Sequence, residues 1–248
     1  MRSYGQFCPV AQALEVVGER WTLLVVRELL SGSRRFSEIQ RGVPLMSPTL
    51  LSQRLTRLER AGIVAQRPGP GGRPEYHPTE AGRELWPVVE MLGTWGQRWA
   101  RREVSPGQLD PSLLMWDIRR RIDFSRVPPR RTVVRFGFRG LTRGHQTWWL
   151  VLDRGEVDLC LSDPGHGVAL TVDADLRSLI MVWMGDLPFG RALGCGAVAV
   201  SGPPALVRAF PSWLRLNLLA GVERPATAAA PDDRYVGGGR ASATTTSG

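Results

Sequence analysis

Residues 34–62 constrain the fold more than any other stretch, because they contain two short amphipathic segments that are separated by a turn. In the first segment Phe36 and Ile39 share one helical face, which predicts a short helix. Gly42 is predicted to end this helix in the left-handed conformation that glycine adopts without strain. The pattern predicts a pair of helices in close sequence.

The second helix is predicted to begin at Ser47-Pro48 and to end at Gly62. Serine caps free backbone N–H groups, and proline at the first helical position lacks an N–H that would be unpaired anyway. A stripe of leucines predicts the buried face, namely Leu51, Leu55 and Leu58. The opposite face is polar and basic.

Two extended runs, 63–67 and 73–77, follow this helix and are separated by a Gly- and Pro-rich turn at 68–72. This pattern predicts a hairpin with an arginine at each shoulder of its tip, Arg67 and Arg73. Two further helices are predicted upstream, over Pro9–Val17 and from about Arg20 to Leu29. Together these elements predict a winged helix-turn-helix.

A winged helix-turn-helix places its second helix in the major groove of DNA, which is about 12 Å wide. Gln53 and Arg57 are the leading candidates for reading bases, and wing arginines would pair with phosphates. The alternative is a winged helix that binds only protein, with a solvated polar face. The full set of predicted DNA-contacting residues is Arg35, Ser47, Thr49, Ser52, Gln53, Thr56, Arg57, Arg67 and Arg73.

The charge distribution favours the DNA-binding alternative. The chain has a formal charge of +9 and no lysine, so that all its fixed positive charge is arginine, and residues 1–102 carry 15 Arg against 9 Glu and no Asp. Arginine suits bidentate contacts with phosphate. Genome composition alone would explain the missing lysine, but it does not explain the excess charge of the first half.

A longer helix is predicted from Thr79 to about Arg102, with an apolar side too large for a small domain to cover. We therefore expect a partner surface on this helix. The residues assigned to it are Val88, Leu92, Trp95 and Trp99.

Several blocks of residues 7–101 resemble the HxlR family of bacterial regulators: 8–10 (CPV), 18–22 (GERWT), 35–39 (RFSEI), 47–58 and 76–82 (YHPTEAG). The resemblance implies a homodimer, paired through the helix with Trp95 and Trp99, that binds an inverted-repeat operator on double-stranded DNA. It also implies a bacterial, cytoplasmic protein that is associated with the nucleoid when bound. We expect a repressor.

Cys8 aligns with a cysteine that some HxlR regulators use to sense oxidants or electrophiles, and a thiolate at a helix start has a lowered pKa. The alternative is a small buried apolar residue. A redox- or electrophile-sensing regulator that acts through Cys8 is therefore one reading of the function.

After a polar stretch at 105–111, four strands are predicted at 132–138, 147–153, 156–161 and 168–172, then a helix from Asp173 to Met184, a strand at 195–201 and a helix at 203–216. The predicted fold class is α+β, with a C-terminal domain built on a mainly antiparallel sheet. The predicted boundaries are 1–104 for the DNA-binding and dimerisation domain, 105–225 for the C-terminal domain and 226–248 for a disordered tail.

The C-terminal domain weakly resembles sterol-carrier-protein-like domains in its element order and in the run 157–161. This resemblance implies a cavity for an apolar small-molecule effector that modulates operator binding. Core packing explains the same side chains, and a domain used only for protein interaction is a further alternative. The predicted lining residues are Trp148, Trp149, Trp183, Met184 and Phe189.

Other functional classes lack sequence support. The three histidines are not spaced as metal ligands, there is no Gly-x-Ser-x-Gly elbow, and the glycines of 69–72 lack the lysine of a phosphate loop. We expect no catalytic residues, no metal, no cofactor and no membrane partner. Three cysteines without close pairing fit a reducing compartment.

Overall fold

The computed structural model describes residues 3–100, 104–141 and 144–223, so the predicted tail at 226–248 lies outside the described residues. The N-terminal unit contains four helices and a hairpin, as predicted. Their bounds are α1 Pro9–Val17, α2 Thr22–Leu30, α3 Phe36–Gly42, α4 Pro48–Arg60, β1 Val64–Pro68 and β2 Pro74–Pro78.

The start and the buried face of α4 confirm the sequence prediction. The Ser47 hydroxyl accepts a hydrogen bond from the Leu50 backbone N–H at 3.3 Å. Leu51, Leu55 and Leu58 are fully buried in a core that α2 and α3 also line. Burial of apolar surface is worth about 25 cal/mol per Å², so this stripe fixes which face of α4 stays outside.

Gly42 is the last residue of α3 but does not adopt the predicted left-handed conformation, and Val43, with φ −132°, follows the helix. Position 42 requires glycine because there is no space for a side chain. A Cβ atom at position 42 would lie 1.9 Å from the Glu28 carboxylate. The prediction was wrong because the carboxylate that occupies this space comes from α2, fourteen residues upstream.

The helix predicted from Thr79 to Arg102 is broken. It comprises α5 (Glu80–Glu84), α6 (Trp86–Trp95) and one π-helical turn (Gly96–Ala100), and residues 101–102 lie outside the described residues. Pro87 stands in the first turn of α6. Because proline supplies no N–H, it is tolerated only where a helix starts anew.

The C-terminal unit is a five-stranded sheet with helices, which confirms the α+β class. The sheet order is β5-β4-β3-β6-β7, with antiparallel pairs throughout except for the parallel pair β3 and β6. The bounds are α7 Pro111–Arg120, β3 Thr132–Arg139, β4 Thr147–Asp153, β5 Glu156–Cys160, β6 Val168–Asp175, α8 Leu176–Trp183, α9 Phe189–Gly194, β7 Val198–Ser201 and α10 Pro204–Ala209.

The sequence prediction differs from the structure at several of these elements. The helix predicted from Asp173 starts only after Asp175, whose carboxylate caps α8 by accepting from the Ser178 N–H at 2.8 Å. The strand predicted over 195–201 is limited to β7, and the closing helix ends at Ala209. Helices α7 and α9 were not predicted.

Helix α7 joins the two units. It packs on α3, and its Trp116 is fully buried. The Trp116 Nε1–H donates to Glu28 Oε2 at 3.4 Å, and Arg120 Nη1 donates to the same oxygen at 2.7 Å. The other oxygen of Glu28 accepts from Arg27 Nη2 at 2.8 Å. A buried carboxylate of the N-terminal unit is thus paired by both units.

No helix among residues 3–100, 104–141 and 144–223 is long and apolar enough to cross a membrane.

Candidate nucleic-acid interface

The turn between α3 and α4 is held by one side chain. Gln40 Nε2 donates to the carbonyl oxygens of Val43 at 3.2 Å and Met46 at 2.7 Å. Val43 and Met46 are themselves buried beside Ile39. The angle between α3 and α4 is therefore set by buried apolar packing and by hydrogen bonds to the turn.

The first two turns of α4 present an open polar face. Thr49, Ser52, Gln53 and Thr56 are all exposed, as is the capping residue Ser47. The contacts that join the C-terminal unit to the N-terminal unit lie elsewhere: α7 packs on α3, Arg120 binds Glu28 of α2, and Leu219 lies beside Gly93 of α6. A helix of this kind has free donors and acceptors at the positions from which base edges are reached.

Arg57 is not part of that open face. Its guanidinium forms an ion pair with Glu19, and its Nη2 donates to the Glu15 carbonyl oxygen at 3.0 Å. Arg54 binds the other oxygen of Glu19 at 2.7 Å. Sequence analysis missed Arg54 and Glu19, although the spacing of Arg54 and Arg57 on α4 puts both on one side of the helix.

The hairpin β1–β2 forms a wing with a basic tip. Arg67 pairs in register with Glu75, and the chain turns at Gly71 and Gly72, both with positive φ. Arg67 and Arg73 are exposed, and within the described residues neither forms an ion pair. The two guanidinium groups are therefore free to meet phosphates.

The wing is fixed to the helices through the segment before α3. The Tyr76 N–H donates to the Arg34 carbonyl oxygen at 2.8 Å, and Arg35 Nε lies 3.7 Å from Glu75 Oε1. Partial burial opposes ionisation of Glu38, but the backbone N–H groups of Arg34 and Arg35, together with the charges of Arg35 and Arg119, outweigh it and hold the Glu38 pKa below its ordinary value. Arg35 keeps half of its side chain exposed.

An unpartnered apolar surface lies on α6 and the turn that follows it. Its members, called here the α6 face, are large apolar side chains with about half to three quarters of their surface exposed. They are Val88, Met91, Leu92, Trp95 and Trp99. Met91 was not among the predicted interface residues.

The structure places the predicted ligand-lining residues in different surroundings. Trp148 and Trp183 are buried in the core of the C-terminal unit, and Phe189 packs against that core. Trp148 borders a cavity of about 640 Å³ beside α7, whereas Met184 borders a different cavity of about 760 Å³. Sequence distance does not indicate which aromatic side chains meet in a sheet core.

Cys8 is exposed and immediately precedes α1. The backbone N–H groups of Ala11 and Val10 lower the pKa of its thiol. Cys160, in contrast, has its pKa raised by partial burial and by the charge of Asp158. In the part of the chain that the structure describes, no three His, Cys, Asp or Glu side chains are placed to hold a metal ion.

These features define a winged helix-turn-helix with a basic wing, and comparisons with known proteins agree. The family model for the HxlR-like helix-turn-helix matches residues 16–104. An HTH-type transcriptional regulator of Mycobacterium bovis is 42% identical over 99 residues, which are 39% of this chain and 62% of the relative. The HTH-type transcriptional regulator YvaP of Bacillus subtilis is 36% identical over 112 residues, 44% of this chain and 95% of YvaP.

Among solved structures, the reduced form of the transcriptional regulator YodB from B. subtilis is 32% identical, with a TM-score of 0.33 over 37% of this chain and 93% of YodB. The chain belongs to the HxlR-like helix-turn-helix family. It spans 62% of the length of the mycobacterial relative and nearly all of YvaP. The matches cover less than half of this chain.

Proposed function

We propose that this chain is a dimeric DNA-binding transcriptional regulator, acting in the bacterial cytoplasm as a repressor, whose α4 enters the major groove of an inverted-repeat operator. The observation that carries the proposal is the open polar face of α4 beside a basic wing. Gln53 reads a base edge, since glutamine forms a bidentate contact with adenine. Arg67 and Arg73 pair with phosphates and set the register on the duplex.

Arg57 has a positioning role in this proposal, because its guanidinium is already bound to Glu19 and to the Glu15 carbonyl oxygen. It holds α4 against the segment between α1 and α2. Sequence analysis assigned base reading to both Gln53 and Arg57, and we now assign it to Gln53 alone. Arg35, whose side chain is half exposed, contacts a phosphate.

Dimerisation is proposed through the α6 face. Trp95 and Trp99 are 56% and 46% exposed in the single chain, and such large apolar side chains are costly to leave in water. Two subunits related by a twofold axis would bury this face and present two α4 helices to half-sites about one helical turn apart. An inverted-repeat operator follows from that symmetry.

The experiment that tests the proposed function is capture of genomic DNA fragments by the full-length protein, followed by sequencing. We expect enrichment of fragments that share an inverted repeat, and binding that weakens steeply with salt. Recovery of no fragment above background at low salt would end the proposal. Sedimentation of the protein alone tests the dimer independently of DNA.

Regulation by a small apolar ligand is part of the same proposal. The support for it is that the C-terminal unit is joined directly to α3, the first helix of the helix-turn-helix, through α7. A ligand changes DNA binding only if it prefers one arrangement of these helices.

A second candidate function is oxidant or electrophile sensing at Cys8, favoured by its exposed thiol and lowered pKa. A group with a lowered thiol pKa is a thiolate at lower pH, so Cys8 should react with iodoacetamide at a lower pH than Cys160 does. Cys8→Ser should abolish any response of operator binding to quinones or peroxide. An unchanged response would exclude this function.

A further inference from the structure

A cavity of about 760 Å³ lies at the joint between the two units. Helices α2 and α6 form one wall, and α7 with residues 217–219 forms the other. Cavities that hold small ligands typically measure about 300–1,000 Å³. The volume is therefore that of a ligand site, and both units contribute to it.

The wall formed by residues 217–219 is well defined. A Cβ atom at Gly93 would lie 2.8 Å from Leu219 Cδ1, and one at Gly185 would lie 2.2 Å from the Ala220 carbonyl oxygen. The Asn217 N–H donates to the Trp183 carbonyl oxygen at 3.0 Å. This segment is thus packed onto α6 and fastened to the end of α8.

Most of the lining is apolar, so the cavity suits the apolar body of a ligand. Such cavities carry a few polar groups that fix the orientation of what they bind. The partly buried apolar side chains of the lining come from both units and include Leu23, Leu30, Trp86, Val89, Met184 and Leu219.

Among the described residues, Arg121 is the arginine of this cavity that forms no ion pair. The other two lining arginines are neutralised, since Arg27 and Arg120 both bind Glu28 and Arg120 also binds Asp117. Arg121 uses only its Nε, which donates to the carbonyl oxygens of Arg215 at 2.9 Å and Leu216 at 2.7 Å. Its two Nη groups form no hydrogen bond with any described residue.

The electrostatic surroundings of Arg121 favour an anion. Burial lowers its pKa, Asp117 acts in the opposite direction, and Arg215 and Arg120 lower it further. A bound anion would relieve this repulsion. Glu90 also lines the cavity, but it lies on the exposed rim, where solvent screens its charge.

We propose that the cavity between the two units binds a small amphipathic anion, with its carboxylate or equivalent acid group on Arg121 and its apolar body against α2 and α6. The binding step stands by itself, whereas the regulatory consequence rests on the proposed function. Helix α2 packs on α4, and α6 carries the α6 face, so an occupant touches the elements that position the recognition helix and the dimer.

The test uses isothermal titration of the full-length protein with decanoate and with decanol, which share an apolar chain but differ in charge. We expect decanoate to bind and Arg121→Gln to weaken it by roughly tenfold or more, because a charged hydrogen bond is lost. Decanol should bind both proteins alike. Arg126→Gln, which removes an exposed arginine outside the cavity, should leave decanoate binding unchanged.

A second variant tests the cavity without altering a hydrogen-bonded arginine. Leu218 lines the cavity and is 58% exposed, so Leu218→Glu should fold and should weaken decanoate by placing a second anion beside Arg121. Equal binding of decanoate by the wild-type protein and by both variants would overturn the proposal. Binding of decanoate to the Trp95→Arg variant but not to the wild-type dimer would also overturn the proposal, because it would show that the partner subunit fills the cavity in the dimer.

Operator binding separates this proposal from the proposed function. Decanoate that binds at Arg121 but leaves operator affinity unchanged would overturn the regulatory consequence. Failure of the protein to capture any genomic fragment, with decanoate binding intact, would overturn the proposed function and leave the binding site standing.

Discussion

Glu19 and Glu28 are each held by two arginines, but they lie in different environments. The arginines from the facing elements are equally buried, with 16% of the Arg54 side chain and 14% of the Arg120 side chain exposed. The Glu19 side chain is 25% exposed, whereas that of Glu28 is completely buried. The partly exposed Glu19 cluster therefore holds α4, whereas the buried Glu28 cluster connects the two units.

The difference in burial decides what each cluster contributes to stability. Exposed ion pairs contribute about 0–1 kcal/mol, because water already solvates both partners. A buried carboxylate that loses a partner has no water to replace it, which costs about 3–5 kcal/mol. The comparison teaches that the Glu28 cluster constrains the relative placement of the two units more than the Glu19 cluster constrains the placement of α4.

The largest expected effect is that of Arg120→Ala, which leaves Glu28 buried with one cation fewer. We expect the free energy of unfolding to fall by about 3–5 kcal/mol, as measured by urea denaturation. Arg54→Ala is the matched control and should cost less than about 1 kcal/mol beyond its lost packing. Equal losses would show that the burial of the carboxylate does not matter.

Substitutions on the open face of α4 are expected to have effects of intermediate size, and they should change DNA binding without changing stability. Gln53→Ala should reduce discrimination at one base pair by roughly 1–3 kcal/mol, whereas Arg67→Ala should weaken binding to all sequences and lower the salt slope by about one. Both should leave the unfolding midpoint unchanged. The measurement is operator binding against single-base variants at several salt concentrations.

Arg208→Ala serves as the control for that experiment, because Arg208 is an exposed arginine of α10 in the C-terminal unit. It should change neither sequence preference nor salt slope. Identical, sequence-independent losses from Gln53→Ala and Arg67→Ala would contradict the assignment of base reading to Gln53.

The smallest expected effect is that of Glu19→Gln on stability. The amide oxygen replaces only one of the two carboxylate oxygens, which bind different arginines, but water reaches this partly exposed site, so the free energy of unfolding should change by less than about 1 kcal/mol. In this variant neither arginine is neutralised. The non-specific affinity for DNA should therefore rise, and the salt dependence of DNA binding should steepen by about one in slope. A drop in stability as large as that of Arg120→Ala would remove the distinction between the two clusters.

Local signals predicted the N-terminal unit well. The Ser47-Pro48 cap, the leucine stripe of α4 and the glycines of the wing act within a few residues, so their outcome is visible in a single sequence. The same holds for the strands β3, β4 and β5, whose β-branched and aromatic runs are bounded by turns. Helix α7 was missed, although Asp110 caps it and Pro111 opens it.

The sequence by itself determined the helix-turn-helix, its wing and the polar face of α4, because hydrophobic period, caps and turns are local properties. Only the tertiary structure decided that Gly42 leaves room for Glu28, that Arg57 is held by Glu19, and that Trp148 and Trp183 are core residues. Each of these depends on side chains that are distant in the chain but close in space, and their burial and pairing are set by packing rather than by pattern.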